Sequence, residues 1–104
     1  MTQLQILDPT GLQDKIDAGA YVLDIRDVNS YNANHIKGSQ RIDNSNLASF
    51  LAEANKDKAV IVCCYHGISS MQAAEVFINQ GFENVYSLEG GFNTFCTTHP
   101  QMCA

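Results

Sequence analysis

Apolar positions along this chain switch repeatedly between two spacings. Short apolar or alternating runs fall at 3–7 (QLQIL), 21–25 (YVLDI), 59–64 (AVIVCC) and 84–88 (NVYSL), and each predicts a β-strand. The run at 59–64 is the strongest, because it is continuously apolar and β-branched, as a strand covered on both faces of a parallel sheet must be. The intervening segments carry helix signals. In 8–19 Asp8 is placed to cap a helix, Pro9 to be its first residue and Gly19 to stop it. Residues 27–35 predict a short helix with Val28 and Tyr31 facing inward, and 47–55 a second one after the polar DNSN stretch. A brief extended piece, QRI, lies between them after Gly38.

The clearest helix is predicted within 69–81, where Met71, Ala74 and Phe77 or Ile78 recur at helical spacing before Gly81 ends it. EGG at 89–91 reads as a turn, and 92–99 as a last short helix before Pro100. The resulting order, β-α-β-α-β-α, predicts an α/β layer with a mostly parallel sheet. No linker, repeat or low-complexity segment interrupts it, and 104 residues suffice for one hydrophobic core, so residues 1–104 are expected to form a single domain.

Composition narrows the function. Hydrophobic residues make up 45% and charged residues 16%, a globular balance. A net charge of −5, with only six Lys and Arg, argues against a nucleic-acid or anionic-membrane partner, which would require a basic stripe. No run approaches the roughly 18 apolar residues of a membrane span, and no basic segment precedes an apolar run near the start, so a cytoplasmic location is expected. The four cysteines, at 63, 64, 96 and 103, leave the N-terminal half without a possible disulfide, and reduced thiols are expected. Neither a Cys-x-x-Cys pair nor a spaced histidine pair is present, and no metal or other cofactor is expected.

The candidate chemistry lies in CCYHGISS, residues 63–70. Cys64 falls at the carboxyl end of the most apolar strand, where ligands gather in open α/β sheets. A loop from strand to helix turns main-chain N–H groups inward, and the positive end of the following helix adds to them. Gly67 lets that loop tighten, and Ser69 and Ser70 can cap the helix or present hydroxyls to the hollow. A cysteine thiol ordinarily ionises near pH 8.5, and a partly buried helix terminus contributes up to about 2 kcal/mol, so a lowering of about one unit or more is expected without any cation.

Other residues read more plainly. Cys63, inside the strand, is expected to act as a small hydrophobe, and Cys96 and Cys103 lie near a terminus, where chains fray. His66 can be either a base or a bystander. Asp24 and Arg26 are expected to pair or to cap nearby backbone, and His35 to be a hydrogen-bonded part of the scaffold.

Three stretches, VLDIRDVNSYNANHIKGS at 22–39, VIVCCYHGISS at 60–70 and GFENVYSLEGGFNTF at 81–95, resemble the rhodanese-domain family, in particular its single-domain thiosulfate sulfurtransferases. Asn34 stands where that family usually has glycine before the histidine, and Phe95 where tryptophan is frequent. The resemblance implies a three-layer α/β/α fold around a central mostly parallel sheet. It implies that Cys64 attacks a small anionic sulfur donor such as thiosulfate, becomes a persulfide, and passes the sulfur to cyanide or to a thiol such as thioredoxin. Tyr65, His66, Gly67, Ile68, Ser69 and Ser70 would line the substrate, the six residues 64–69 matching the family's sulfur-transferring loop length.

Two alternatives stand beside this reading: a persulfide carrier or regulatory binding module on the same scaffold, and a cysteine-dependent phosphatase or arsenate reductase. The latter requires an arginine where this chain has Ser70. No Lys or Arg follows Lys58, so no local substitute is expected, and thiosulfate should bind weakly unless Arg26, Lys37 or Arg41 reaches the loop.

Overall fold

The computed structural model describes residues 3–104. Five strands, β1 (Gln5–Leu7), β2 (Tyr21–Asp24), β3 (Gln40–Arg41), β4 (Val60–Cys63) and β5 (Val85–Leu88), form one sheet in the order β1-β5-β4-β2-β3, every pair parallel. The five helices are α1 (Leu12–Asp17), α2 (Val28–Ala33), α3 (Leu47–Glu53), α4 (Ser69–Asn79) and α5 (Gly91–Thr98). β4 is central and buried along its whole length, flanked by β2 and β5. Val60, Ile61 and Val62 are fully buried and each contributes about 1.5–3 kcal/mol.

Alternation along the strands divides the core between two faces. Val22, Ile61, Cys63 and Leu88 point to one side, where Leu12 of α1 and Phe92 and Phe95 of α5 cover them. Leu23, Val60, Val62 and Val85 point to the other, beneath Phe50 of α3 and Ala74 and Phe77 of α4. Phe77 and Phe82 pack edge to face there, 5.9 Å apart. The sequence-based expectation of three layers therefore holds, with the sheet wholly parallel.

Local details differ from the periodicity in instructive ways. Asp8 does cap at Pro9, accepting the Thr10 N–H at 2.9 Å, but the chain makes a 3-10 turn over Pro9–Gly11 before α1 begins. Val28, expected inside, is 50% exposed: it opens the six-residue α2 directly after the cap residue Asp27, on the outer side of the turn. Tyr31 is held by its hydroxyl on the Ser39 carbonyl, 2.5 Å, and by stacking on His35, 4.1 Å between centroids. His35 is the scaffold element expected, its Nδ1 lying 2.8 Å from the Tyr31 carbonyl. On α4 the inward stripe runs through Ser70, Ala74 and Phe77, so Met71, one position further round, is 37% exposed.

The end of the chain is not frayed. His35 and Ala104 exchange main-chain hydrogen bonds at 2.8 and 2.9 Å, and Cys103 bridges Ile36 antiparallel.

Candidate active site

Cys64 follows β4 directly and sits at the carboxyl ends of the strands, only 5% exposed at the floor of a cleft of about 530 Å³. Ile25, Arg26, Asp27, Tyr65, His66, Ile68 and Ser69 line that cleft. The loop closes over the sulfur in a single turn. Cys64 Sγ accepts the Gly67 N–H at 3.1 Å and the Ser70 N–H at 3.3 Å, and lies 3.3 Å from the Ser70 hydroxyl.

The path of the loop around the sulfur has an identifiable cause. The first turn of α5 has N–H groups with no intrahelical partner; Phe92 donates to the Cys64 carbonyl at 2.7 Å and Asn93 to the Tyr65 carbonyl at 3.1 Å. In a trans peptide the N–H points opposite to the carbonyl, so fixing the Tyr65 carbonyl on Asn93 turns the His66 N–H toward the Cys64 sulfur. Gly67 then takes φ +85°, which an L side chain rarely adopts, and a Cβ there would meet Gly90 N and Leu88 O at 3.0 Å.

Burial raises the Cys64 pKa, but the Ser70 hydroxyl and the N–H groups of Ser70, Gly67 and His66 outweigh it, and the thiol is held below its ordinary value. Cys63 is the opposite case: fully buried beside Asp24, with desolvation and that carboxylate pushing its thiol well above the usual range. It is the small hydrophobe expected.

Of the three cations that could reach the loop from elsewhere in the chain, Arg26 is the one brought to the cleft, although it precedes Cys64 by 38 residues. It is a compensated cation. Its Nε donates to both Asp24 carboxylate oxygens at 3.1 Å, its Nη2 to Asp24 at 2.8 Å and to the Asn34 carbonyl at 2.8 Å, and it stacks 3.9 Å from the Phe92 ring centroid. The pair is buried, so Asp24 cancels the charge close by. Arg41 pairs with Asp43 at 2.6 Å, and Lys37 lies against Gln101 and Met102, away from the loop.

The loop residues divide by role. The Tyr65 hydroxyl bonds Asp27 and Ser30 of the α2 turn, tying the rim to a second element and holding the Asp27 carboxyl well below the usual range. His66 and Ser69 are exposed, and Ile68 is 70% exposed at the mouth. Neither serine caps α4; Ile68 occupies the cap position, while Ser70 is fully buried and directed at Cys64. Sequence reasoning missed Asp27, Ser30 and the first turn of α5; the two adjacent glycines before an aromatic were read as a turn and as part of the family resemblance, without a role in orienting the loop.

A parallel α/β domain with a strand-end cysteine inside a loop of converging N–H groups defines a recognisable class. Residues 8–98 match the model of the rhodanese-like domain, and the chain belongs to that family. Proteins named thiosulfate sulfurtransferase GlpE are similar over nearly its whole length: that of Pseudomonas fluorescens (strain SBW25) is 47% identical over 100 residues, covering 96% of this chain and 92% of that protein. That of Pseudomonas syringae pv. syringae (strain B728a) is 43% identical over 101 residues, covering 97% and 95%. Among solved structures, the reduced Bacillus anthracis CoADR-RHD superposes with a TM-score of 0.83 at 26% identity, over 97% of this chain and 18% of that one. The rhodanese-related protein of Thermoplasma volcanium gives 0.77 at 26%, over 91% and 93%.

Proposed function

We propose that this chain is a sulfurtransferase that works through a persulfide on Cys64. The thiolate attacks the sulfane sulfur of thiosulfate or a related donor; a new S–S bond forms, the donor's S–S bond breaks, and sulfite leaves with the electron pair. An acceptor, cyanide or a thiol such as that of thioredoxin, then attacks the outer sulfur and restores the Cys64 thiolate. The observation that carries this reading is the Cys64 sulfur at the cleft floor, facing the N–H groups of Gly67 and Ser70. Those groups suit a monoanionic sulfur, before and after it gains its partner. Tyr65, His66, Ile68 and Ser69 form the walls against which donor and acceptor pack. Residues 1–104 act as one domain on this reading, in a reducing cytoplasmic setting. Among the described residues no helix is long and apolar enough to cross a membrane.

Incubation with thiosulfate followed by intact-mass measurement tests the proposal: an enzyme or carrier gains one sulfur atom at Cys64, and an inert binding module gains none. Turnover with cyanide then separates enzyme from carrier. Thiosulfate itself should bind poorly, because the guanidinium at the cleft is neutralised by Asp24 and the chain is acidic overall. A Michaelis constant in the low-micromolar range would contradict this.

Phosphate monoesters should be neither hydrolysed nor bound. Ser70 stands in the position where a dianion would require a bidentate arginine, and Arg26 already spends its fork on Asp24. Protection of Cys64 from alkylation by inorganic phosphate at moderate ionic strength would overturn that expectation.

A further inference from the structure

Ser87 lies on β5 and is fully buried. Its hydroxyl is 2.6 Å from the equally buried Ser70 hydroxyl, the one side-chain partner it has among the described residues. Ser70 in turn is 3.3 Å from Cys64 Sγ. The three groups form a chain from the neighbouring strand, through the first turn of α4, to the cysteine.

We propose that Ser87 is a positioning residue that fixes the direction of the Ser70 hydroxyl and through it favours the thiolate of Cys64. This rests on the assignment of Cys64 as the nucleophile, and it follows from counting hydrogens. With a neutral thiol, three hydrogens (one S–H, two O–H) share two contacts: either the S–H turns out to the cleft, or it donates to Ser70 and the Ser87 hydrogen is left buried without an acceptor. An unmatched buried donor costs about 1–3 kcal/mol. An S–H turned to the cleft leaves Ser70 donating to a neutral sulfur, a far weaker acceptor than the thiolate. With a thiolate, two hydrogens fill two contacts: Ser87 donates to Ser70, and Ser70 donates to the sulfur.

Ser87 sets the sense of this chain because its hydrogen is satisfied only when aimed at Ser70 Oγ. That leaves the Ser70 hydrogen for the sulfur, and a donor that is itself accepting a hydrogen bond is polarised and donates more strongly. The charged and titratable groups near Cys64 are Asp24 and Arg26 beside β2, Asp27 at the start of α2, Tyr65 and His66 in the loop, and Cys63 behind it. β5 and the first turn of α4 bring no charge. A change at Ser87 alters none of these groups, so a shift in the Cys64 titration reports the relay.

The test is the pH dependence of Cys64 alkylation by iodoacetamide, read on the Cys64 peptide by mass spectrometry, in the full-length protein. The midpoint is expected to rise by about half a pH unit in Ser87→Ala, about threefold less thiolate below the midpoint, with a plateau rate no lower than wild type. Ser87→Cys fills the space that alanine would empty, with a somewhat larger and much weaker donor, and should shift in the same direction, which guards against loss of packing in the alanine variant. In a Ser70→Ala background the Ser87→Ala effect should vanish, because Ser87 acts only through Ser70. An unchanged midpoint in both single variants, or an equal shift with Ser70 already removed, would overturn the proposal. Alkylation reports the thiol whether or not sulfur is transferred, so failure of the persulfide mechanism would show separately, as sulfur transfer surviving in Cys64→Ser.

Discussion

Cys64→Ser is expected to gain no sulfur from thiosulfate and to reduce transfer to the uncatalysed rate, while Cys63→Ala transfers sulfur at close to the wild-type rate. The two thiols are adjacent in sequence and opposite in circumstance. Cys63 is fully buried in β4, and desolvation with the neighbouring Asp24 carboxylate holds it protonated. Cys64 opens onto the cleft and accepts N–H groups from Gly67 and Ser70. A serine at 64 would occupy the same N–H cradle, but an alkoxide is far harder to form and has no sulfur to carry as a persulfide. Sulfur uptake by the wild type should also follow the Cys64 ionisation. Because the folded protein lowers that pKa, uptake is complete above it, persists to lower pH than for an ordinary cysteine, and falls as pH drops through the lowered value. Intact-mass measurement across a pH series checks both statements, and transfer by Cys64→Ser, or its loss in Cys63→Ala with the fold intact, would contradict them.

Gly91→Ala should damage stability and site together. A Cβ at this position would lie 2.5 Å from the Cys64 carbonyl oxygen and 2.6 Å from His66 N, atoms of the loop backbone itself, and the residue has φ +63°. The left-handed backbone costs a non-glycine residue roughly 1–2 kcal/mol and forced overpacking about 1–3 kcal/mol more. The sum, about 2–5 kcal/mol, is a large part of the 5–15 kcal/mol that stabilises a typical domain. The strain can be relieved only by moving the loop away from α5, which breaks the Phe92–Cys64 and Asn93–Tyr65 hydrogen bonds and releases the N–H groups they orient. Denaturant unfolding should show a markedly lower midpoint, and the Cys64 thiol should titrate closer to an ordinary cysteine. A midpoint within about 0.5 kcal/mol of wild type, the range of an innocuous surface change, would show that loop and helix are not locked in this way.

Much of this arrangement was legible along the chain. The apolar β-branched run at 59–64 could be satisfied only by a strand covered on both faces, and it is the central strand. Once β4 was placed there, Cys64 had to fall at its carboxyl end, and Gly67 marked a loop needing unusual backbone. What misled the periodicity were residues at the margins of helices, Val28 and Met71, because spacing identifies a stripe only to within one position and short helices leave little pattern to average. Ser69 and Ser70 could equally cap the helix or turn their hydroxyls to the hollow; neither caps, and Ser70 takes the second role through partners that local spacing cannot reveal.

The sequence by itself determined the alternation of elements, the two-sided burial of the sheet, the acidic balance and the place of Cys64 at the end of the central strand, since each depends on the chain's own periodicity and composition. The tertiary structure alone decided that Arg26 reaches the cleft already matched to Asp24, that Tyr65 is moored to Asp27, that the first turn of α5 orients the loop, and that Ser87 meets Ser70. These meetings depend on the strand order β1-β5-β4-β2-β3, which sets β2 and β5 on either side of β4. Hydrophobic spacing specifies which face of an element is buried; it does not specify which distant element comes to lie beside it.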